Sequence, residues 1–345
     1  MPSPQQIVDD LISHSIDLLR VDASLRAQVI KQLQALQRDL TSRLASEDLT
    51  ALSRQRLEQL LRQAKGIIDK AYSRIADGAE RALSDIAGIQ FAFTQGMLKD
   101  VFVAQLEPQL PTAAVMRTLA GRTLIEGAPS ATWWGKQSAD LAFRFSNVVR
   151  QGVFAGDTTL KMVSTLRGKA GSVGVLDLSR RSAEALIRTS VQAVSAEATR
   201  ATYRANSDII KGVRQMSTLD ARTTDICIAY HDKSWTLDGE PIGHKLPYNN
   251  GVPRHWNCRS REIPITKTFR ELGIDSPEFV PDLPSFQDWL IRRTIPQQNQ
   301  QLGASRAKLF REGKISLTQL LDFQGHPLSV EQLRAKFETR EASRG

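Results

Sequence analysis

Apolar residues recur every three or four positions through Leu25, Val29, Leu33, Leu36, Leu40 and Leu44, which places them on one stripe of an α-helix. The same spacing runs through Leu57, Leu60, Leu61, Ala64, Ile68, Ala71, Ile75, Ala79, Leu83 and Ile86, with Gln, Arg and Asp on the opposite face. It predicts a second long helix that Gly66, Gly78 and Gly88 weaken without ending. Two such helices form either a hairpin closed on itself or coiled-coil elements that dock on another subunit, and periodicity fits both. A third amphipathic helix is expected from Ser179, as N-cap, through Ala183, Leu186, Ile187, Val191, Val194, Ala198, Ala201, Ala205 and Ile209.

Between these helices Pro108, Pro111 and Pro129 mark breaks, and Trp133, Trp134, Phe143 and Phe145 form the densest aromatic cluster, expected to pack into a core. Gly156, Asp157 and Thr158 read as a turn and cap before a short helix that reaches Leu166. Gly168, Gly171 and Gly174 read as a loop, without the preceding strand or following Lys-Ser/Thr of a phosphate cradle.

The pattern changes after residue 212. Segments 213–219, 234–237 and 261–265 have strand character and are separated by Gly, Pro and Asn turns, which predicts a small antiparallel sheet. Nine of the fourteen prolines lie between Pro241 and Pro327, whereas 5–107 and 130–240 have none, so a helical body precedes an irregular module. The fold class expected is mainly α: a helical N-terminal body and arm, then a small α+β module with a short antiparallel sheet, then a helical tail. The expected divisions are a partner-docking arm at 1–110, a body with a basic middle at 111–212, a Cys/His sheet module at 213–266, and a loop and helical tail at 267–345.

Composition narrows the class. A chain of 345 residues, 41% hydrophobic and 24% charged, has ample material for folded cores and is not a disulfide-stapled miniprotein. No apolar run approaches the roughly 18 residues of a membrane span, and the opening MPSPQQIVDD lacks a basic, then greasy, signal, which predicts synthesis in a cytoplasm. The net charge of +9 makes polyanions plausible neighbours. Much of it comes from 117–169, where Arg144, Arg150, Lys161 and Arg167 form the candidate basic patch.

Both cysteines and three of the five histidines fall within 227–258. Cys227 and His231 form one close pair and His255 and Cys258 another, with His244 in the loop between, so a zinc site is one reading. A Cys227–Cys258 disulfide, two reduced structural cysteines, and a Cys227/His255 nucleophile and base are the others.

At this window the chain resembles the phage head-morphogenesis, or MuF-type minor head, proteins. The residues that carry the resemblance are DARTTDIC at 220–227, Asp238-Gly239, and HWNCRS at 255–260 before a short strand ending Ile263-Pro264. RSAEALIRT at 181–189 looks like the helix that leads into the module, and Trp289, Leu302-Gly303, Arg306, Leu309 to Lys314 and 328–333 look like the tail, so the likeness runs from about 142 to 333. Asp220, Arg222, Thr224, Gly239, Arg259 and Ser260 are the expected structural residues of the module. Many members carry cysteine where this chain has Thr224 and Ser260, so a metal here would need a further ligand. The two hydroxyls would instead join their segments by hydrogen bonds.

The resemblance implies a minor capsid protein with a structural role and no catalytic site, assembled in the host cytoplasm and carried in the virion. Its partners would be the portal protein, capsid subunits and packaged DNA, with which it would be ejected. Two other classes remain: a sequence-independent nucleic-acid-binding module, and an enzyme, either a Cys227/His255 hydrolase or a His231/His255 metal nuclease.

Overall fold

A computed structural model describes residues 4–47, 53–101, 107–169, 172–217, 223–267, 271, 290–291 and 294–315. The chain divides into two compact units, one formed by 9–90 and 112–197, the other by 1–8, 91–111 and 198–345.

The first unit is helical. Helices α1 (Pro4–Ala45) and α2 (Arg54–Val101) contain the two expected stripes. As the position on α1 advances from His14 to Arg43, its hydrogen-bonded partner on α2 retreats from Gln90 to Gln63, so the two run antiparallel as a hairpin. Leu25, Val29, Leu33, Leu36, Leu40 and Leu44 are buried, and so are Leu60, Leu61, Ala64, Ile68, Ile75, Ala79, Leu83 and Ile86. The choice left open by periodicity is thereby made: this apolar face is covered by the chain itself. Each fully buried leucine contributes about 2 kcal/mol from removal of apolar surface from water. Gly66, Gly78 and Gly88 lie within α2 with open space where a side chain would stand, so they lower helix propensity without serving packing.

Helix α3 (Ala113–Arg122) leads through a two-residue hairpin, β1 (Leu124–Ile125) and β2 (Ala128–Pro129), into α4 (Ser130–Phe154). Trp134 and Phe145 are buried, and Trp134 meets Tyr72 at 6.3 Å between ring centroids. Phe143 corrects the expectation of an aromatic core: it is 68% exposed, on the face of α4 opposite the buried Trp134, Leu141 and Phe145 stripe. Thr158 caps α5 (Thr159–Arg167), as the sequence predicts. A side chain at Gly152 would lie 2.5 Å from Met162, so glycine permits the close approach of α4 and α5.

After the short hairpin β3 (Gly168–Lys169) and β4 (Ser172–Val173), helix α6 (Val175–Ala205) begins before the expected cap. Ser179 is inside it, its hydroxyl donating to the carbonyl of Val175. Nor is α6 amphipathic throughout. From 189 to 196 every residue is buried, and small Ser, Thr and Ala side chains allow close packing on all sides.

The second unit contains the sheet. Strands β5 (Ile210–Met216), β6 (Ser234–Thr236), β7 (Pro241–Ile242) and β8 (Arg261–Thr266) pair antiparallel in the order β7-β6-β5-β8. Pro241 and Pro264 both sit on edge strands, where one side of the backbone needs no donor. Between β5 and β6 lies α7 (Asp225–Tyr230), and after the sheet come α8 (Ile295–Leu302) and α9 (Ala304–Arg311). The protein is mainly helical, with a small antiparallel sheet and short helices after it. Among the described residues no helix is long and apolar enough to cross a membrane.

Candidate functional site

Helix α7 places Cys227, and the loop before β8 places His255 and Cys258. The Cys227 and Cys258 sulfurs are 3.6 Å apart and both thiols are free, well beyond the roughly 2.05 Å of a disulfide. The His255 Nε2 is 3.2 Å from the Cys227 sulfur. The three donor atoms lie within 4.8 Å of one another, with both cysteines buried and His255 half-buried. His255 Nδ1 lies 2.9 Å from the carbonyl of Trp256, to which it can only donate, and this fixes the tautomer with the Nε2 lone pair facing the sulfurs.

His231 stands outside this group although it is only four residues from Cys227. It is buried, and its Nδ1 accepts from the backbone N–H of Ser217, so a turn at the end of α7 directs it to the end of β5. His244 is also committed elsewhere. Its Nδ1 accepts from the Leu246 N–H, which requires the neutral ring to carry its proton on Nε2, and Nε2 donates to the Ser234 carbonyl.

The two hydroxyls join the segments in different ways, one directly and one through Ser217. Thr224 sits at the N-cap of α7, but its side chain makes no capping bond and instead meets His255 Nε2 at 2.8 Å. Ser260 donates to Ser217 Oγ, which donates to the Cys227 carbonyl. Thr224 thus joins the α7 segment directly to the 255–260 segment, and Ser260 does so through β5. Gly239 forms the turn between β6 and β7 at φ +90°, with its N–H donating to Thr236. Arg259 is half-buried in the same loop. Asp220 and Arg222 lie outside the described residues, as do Trp289 and 328–333.

The sulfurs differ in ionisation. Donation from Cys227 holds the Cys258 thiol well below its ordinary range, whereas that hydrogen bond to Cys258 and burial push Cys227 well above it. Cys227 is buried, whereas a cysteine nucleophile needs an accessible sulfur.

Residues outside the Cys/His cluster hold this arrangement. The Arg254 guanidinium stacks 3.6 Å over the Tyr230 ring, donates to Gln215 and to the Tyr248 carbonyl, and lies 5.2 Å from the ring of the buried Trp235. On β8, Glu262 accepts from Arg200, Tyr248 and the Val252 N–H. A side chain at Gly251, which has φ +71°, would strike the Glu262 carboxylate, so only glycine fits there. Ile228 packs with Leu290, Leu302, Ala307, Phe310 and Ile315, and Asp225 pairs with Arg306, so the tail helices brace the helix that carries Cys227.

The family model described as Phage Mu protein F like protein matches residues 144–263, about a third of the chain. This stretch is Mu F-like. No curated protein and no solved structure matches the chain. The Mu F-like segment begins in α4, ends in β8 and includes every cysteine and histidine of the cluster, in agreement with the resemblance carried by its motifs. The tail helices that brace α7 fall beyond it.

The four residues of the candidate basic patch lie in the helical unit and are exposed. Arg150 pairs with Glu58, Lys161 pairs with Asp157, and Arg167 reaches Thr41. Two of the four charges therefore already have acidic neighbours, which reduces their pull on a distant polyanion.

Proposed function

We propose that the chain is a minor head protein of a tailed phage, assembled near the portal and carried in the virion, where it contacts packaged DNA and leaves with it on ejection. The Mu F-like segment is the observation that carries this reading, and it supports a head-morphogenesis role. In this reading the Cys/His module is a folding clasp. It ties α7 to the sheet through buried polar bonds, with the tail helices packed on α7 through apolar contacts, and presents no open nucleophile. The leucine stripe of α1 is covered within the hairpin, so docking uses the polar outer faces, and the portal protein and capsid subunits are the partners. Co-expression with portal and shell subunits, followed by affinity capture of this chain, tests the reading: portal subunits are retained, and capture of the chain alone contradicts it.

A second reading, sequence-independent nucleic-acid binding, is favoured by one observation. Phe143 and Phe154 are 68% and 96% exposed on the helix that carries Arg144 and Arg150, a combination of ring and cation suited to stacking on bases. Binding of single-stranded DNA that falls steeply with salt, and falls further in Phe154→Ala, supports it. Equal binding by the variant removes the rings from the argument.

A further inference from the structure

We propose that Cys227, Cys258 and His255 bind a zinc ion as a three-ligand site whose fourth position is open to solvent beside Thr224. This inference stands apart from the head-assembly reading and rests on the geometry of the cluster. Tetrahedral zinc with bonds of about 2.3 Å to sulfur and about 2.0 Å to nitrogen separates two thiolates by about 3.8 Å and a thiolate from an imidazole nitrogen by about 3.5 Å. The cluster has 3.6 Å between the sulfurs and 3.2 Å from Cys227 to His255 Nε2, with the remaining distance no more than 4.8 Å. A metal enters with adjustments of a few tenths of an ångström on two edges and closure of the third. The donor set is soft and nitrogenous, as zinc prefers, and the outer His255 nitrogen is held by a backbone carbonyl, the usual second partner of a metal-bound imidazole.

The open position follows from where the neighbouring donors have gone. His231 accepts from Ser217, and both nitrogens of His244 are engaged with Leu246 and Ser234. Asp225 pairs with Arg306, Asp232 faces Arg214, and Glu262 binds Arg200, Tyr248 and the Val252 N–H. Among the described residues, none of these completes a tetrahedron. Thr224, by contrast, is exposed and borders His255 Nε2, so the fourth position faces water on that side. Three protein ligands with one exchangeable position differ from the closed four-ligand arrangement of a purely structural zinc site.

The test uses the full chain, purified under reducing conditions, with cobalt(II) as the spectroscopic probe and zinc as competitor. Stoichiometric cobalt uptake is expected, with thiolate-to-cobalt charge-transfer absorption, tetrahedral d–d bands and displacement by zinc. Azide is expected to shift the d–d bands by occupying the open position. The His255→Gln variant should lose stoichiometric uptake while its circular dichroism remains that of the wild type. The His231→Gln variant should retain uptake and the azide response. No charge-transfer band in the folded, reduced wild-type chain overturns the site, as does full uptake by both His255→Gln and Cys258→Ser. Bands that azide leaves unchanged overturn the open position. Because the wild-type spectrum alone decides the main claim, misfolding of a variant does not shield it.

Discussion

The helical hairpin and the Cys/His module are stabilised in different ways. In the hairpin one kind of contact repeats: apolar side chains at helical spacing, buried between α1 and α2, each interchangeable with a neighbour of similar volume. In the module few contacts repeat. A buried carboxylate, a stacked guanidinium, three histidines and two thiols each have particular partners, drawn from segments up to 62 residues apart. The hairpin should therefore yield gradually to substitution, whereas removal of one buried partner in the module leaves others unsatisfied.

The largest effect is expected at Glu262. The Glu262→Ala change removes the carboxylate that Arg200, Tyr248 and the Val252 N–H share and should destabilise the second unit by about 3–5 kcal/mol in chemical denaturation. A loss below about 1 kcal/mol would place the module among surface-like arrangements and remove the contrast. Next comes Leu40→Ala in the hairpin, fully buried, with an expected cost of about 3 kcal/mol and no change in the cobalt spectrum. Coupled loss of both would show that the two regions do not differ as described.

A smaller effect concerns pH. Burial holds the His244 ring below its ordinary value of 6.5, and Nδ1 must remain unprotonated to accept from Leu246. The unfolded chain then binds the proton more readily than the folded one, so stability is full above about pH 6.5 and falls as pH drops below it. Melting of the wild type should decline over this range more steeply than melting of His244→Asn, and parallel profiles would assign the decline to other groups. The smallest effect has the opposite sign. Gly88→Ala fills open space on α2 and should stabilise the hairpin by about 0.5–1 kcal/mol, read as a rise in melting temperature. A loss would reveal a contact at that face.

The same contrast explains what could be read from the sequence. Helical periodicity is local, so both arms of the hairpin, the Thr158 cap and the strands around Val213, Trp235 and Ile263 were legible from spacing and turn residues. Phe143 and Ser179 were not: a single aromatic or hydroxyl does not disclose which face of a helix it occupies. In the module, clustering of Cys and His singled out the window 227–258, within which Cys227, His255 and Cys258 come together. His231 misled because α7 ends at Tyr230, and the turn that follows carries its ring away from Cys227 to Ser217. Arg254, Arg200 and Glu262 left no signal, since a buried ion pair between distant segments has no period and its residues resemble surface charges until the chain folds.

Quantitative mass spectrometry of purified procapsids and virions is the most direct measurement of the central claim. The account predicts this chain in both, at a few copies per particle and together with the portal protein. Its absence from both particles, while the protein accumulates in the infected cell, would contradict a role in building the head.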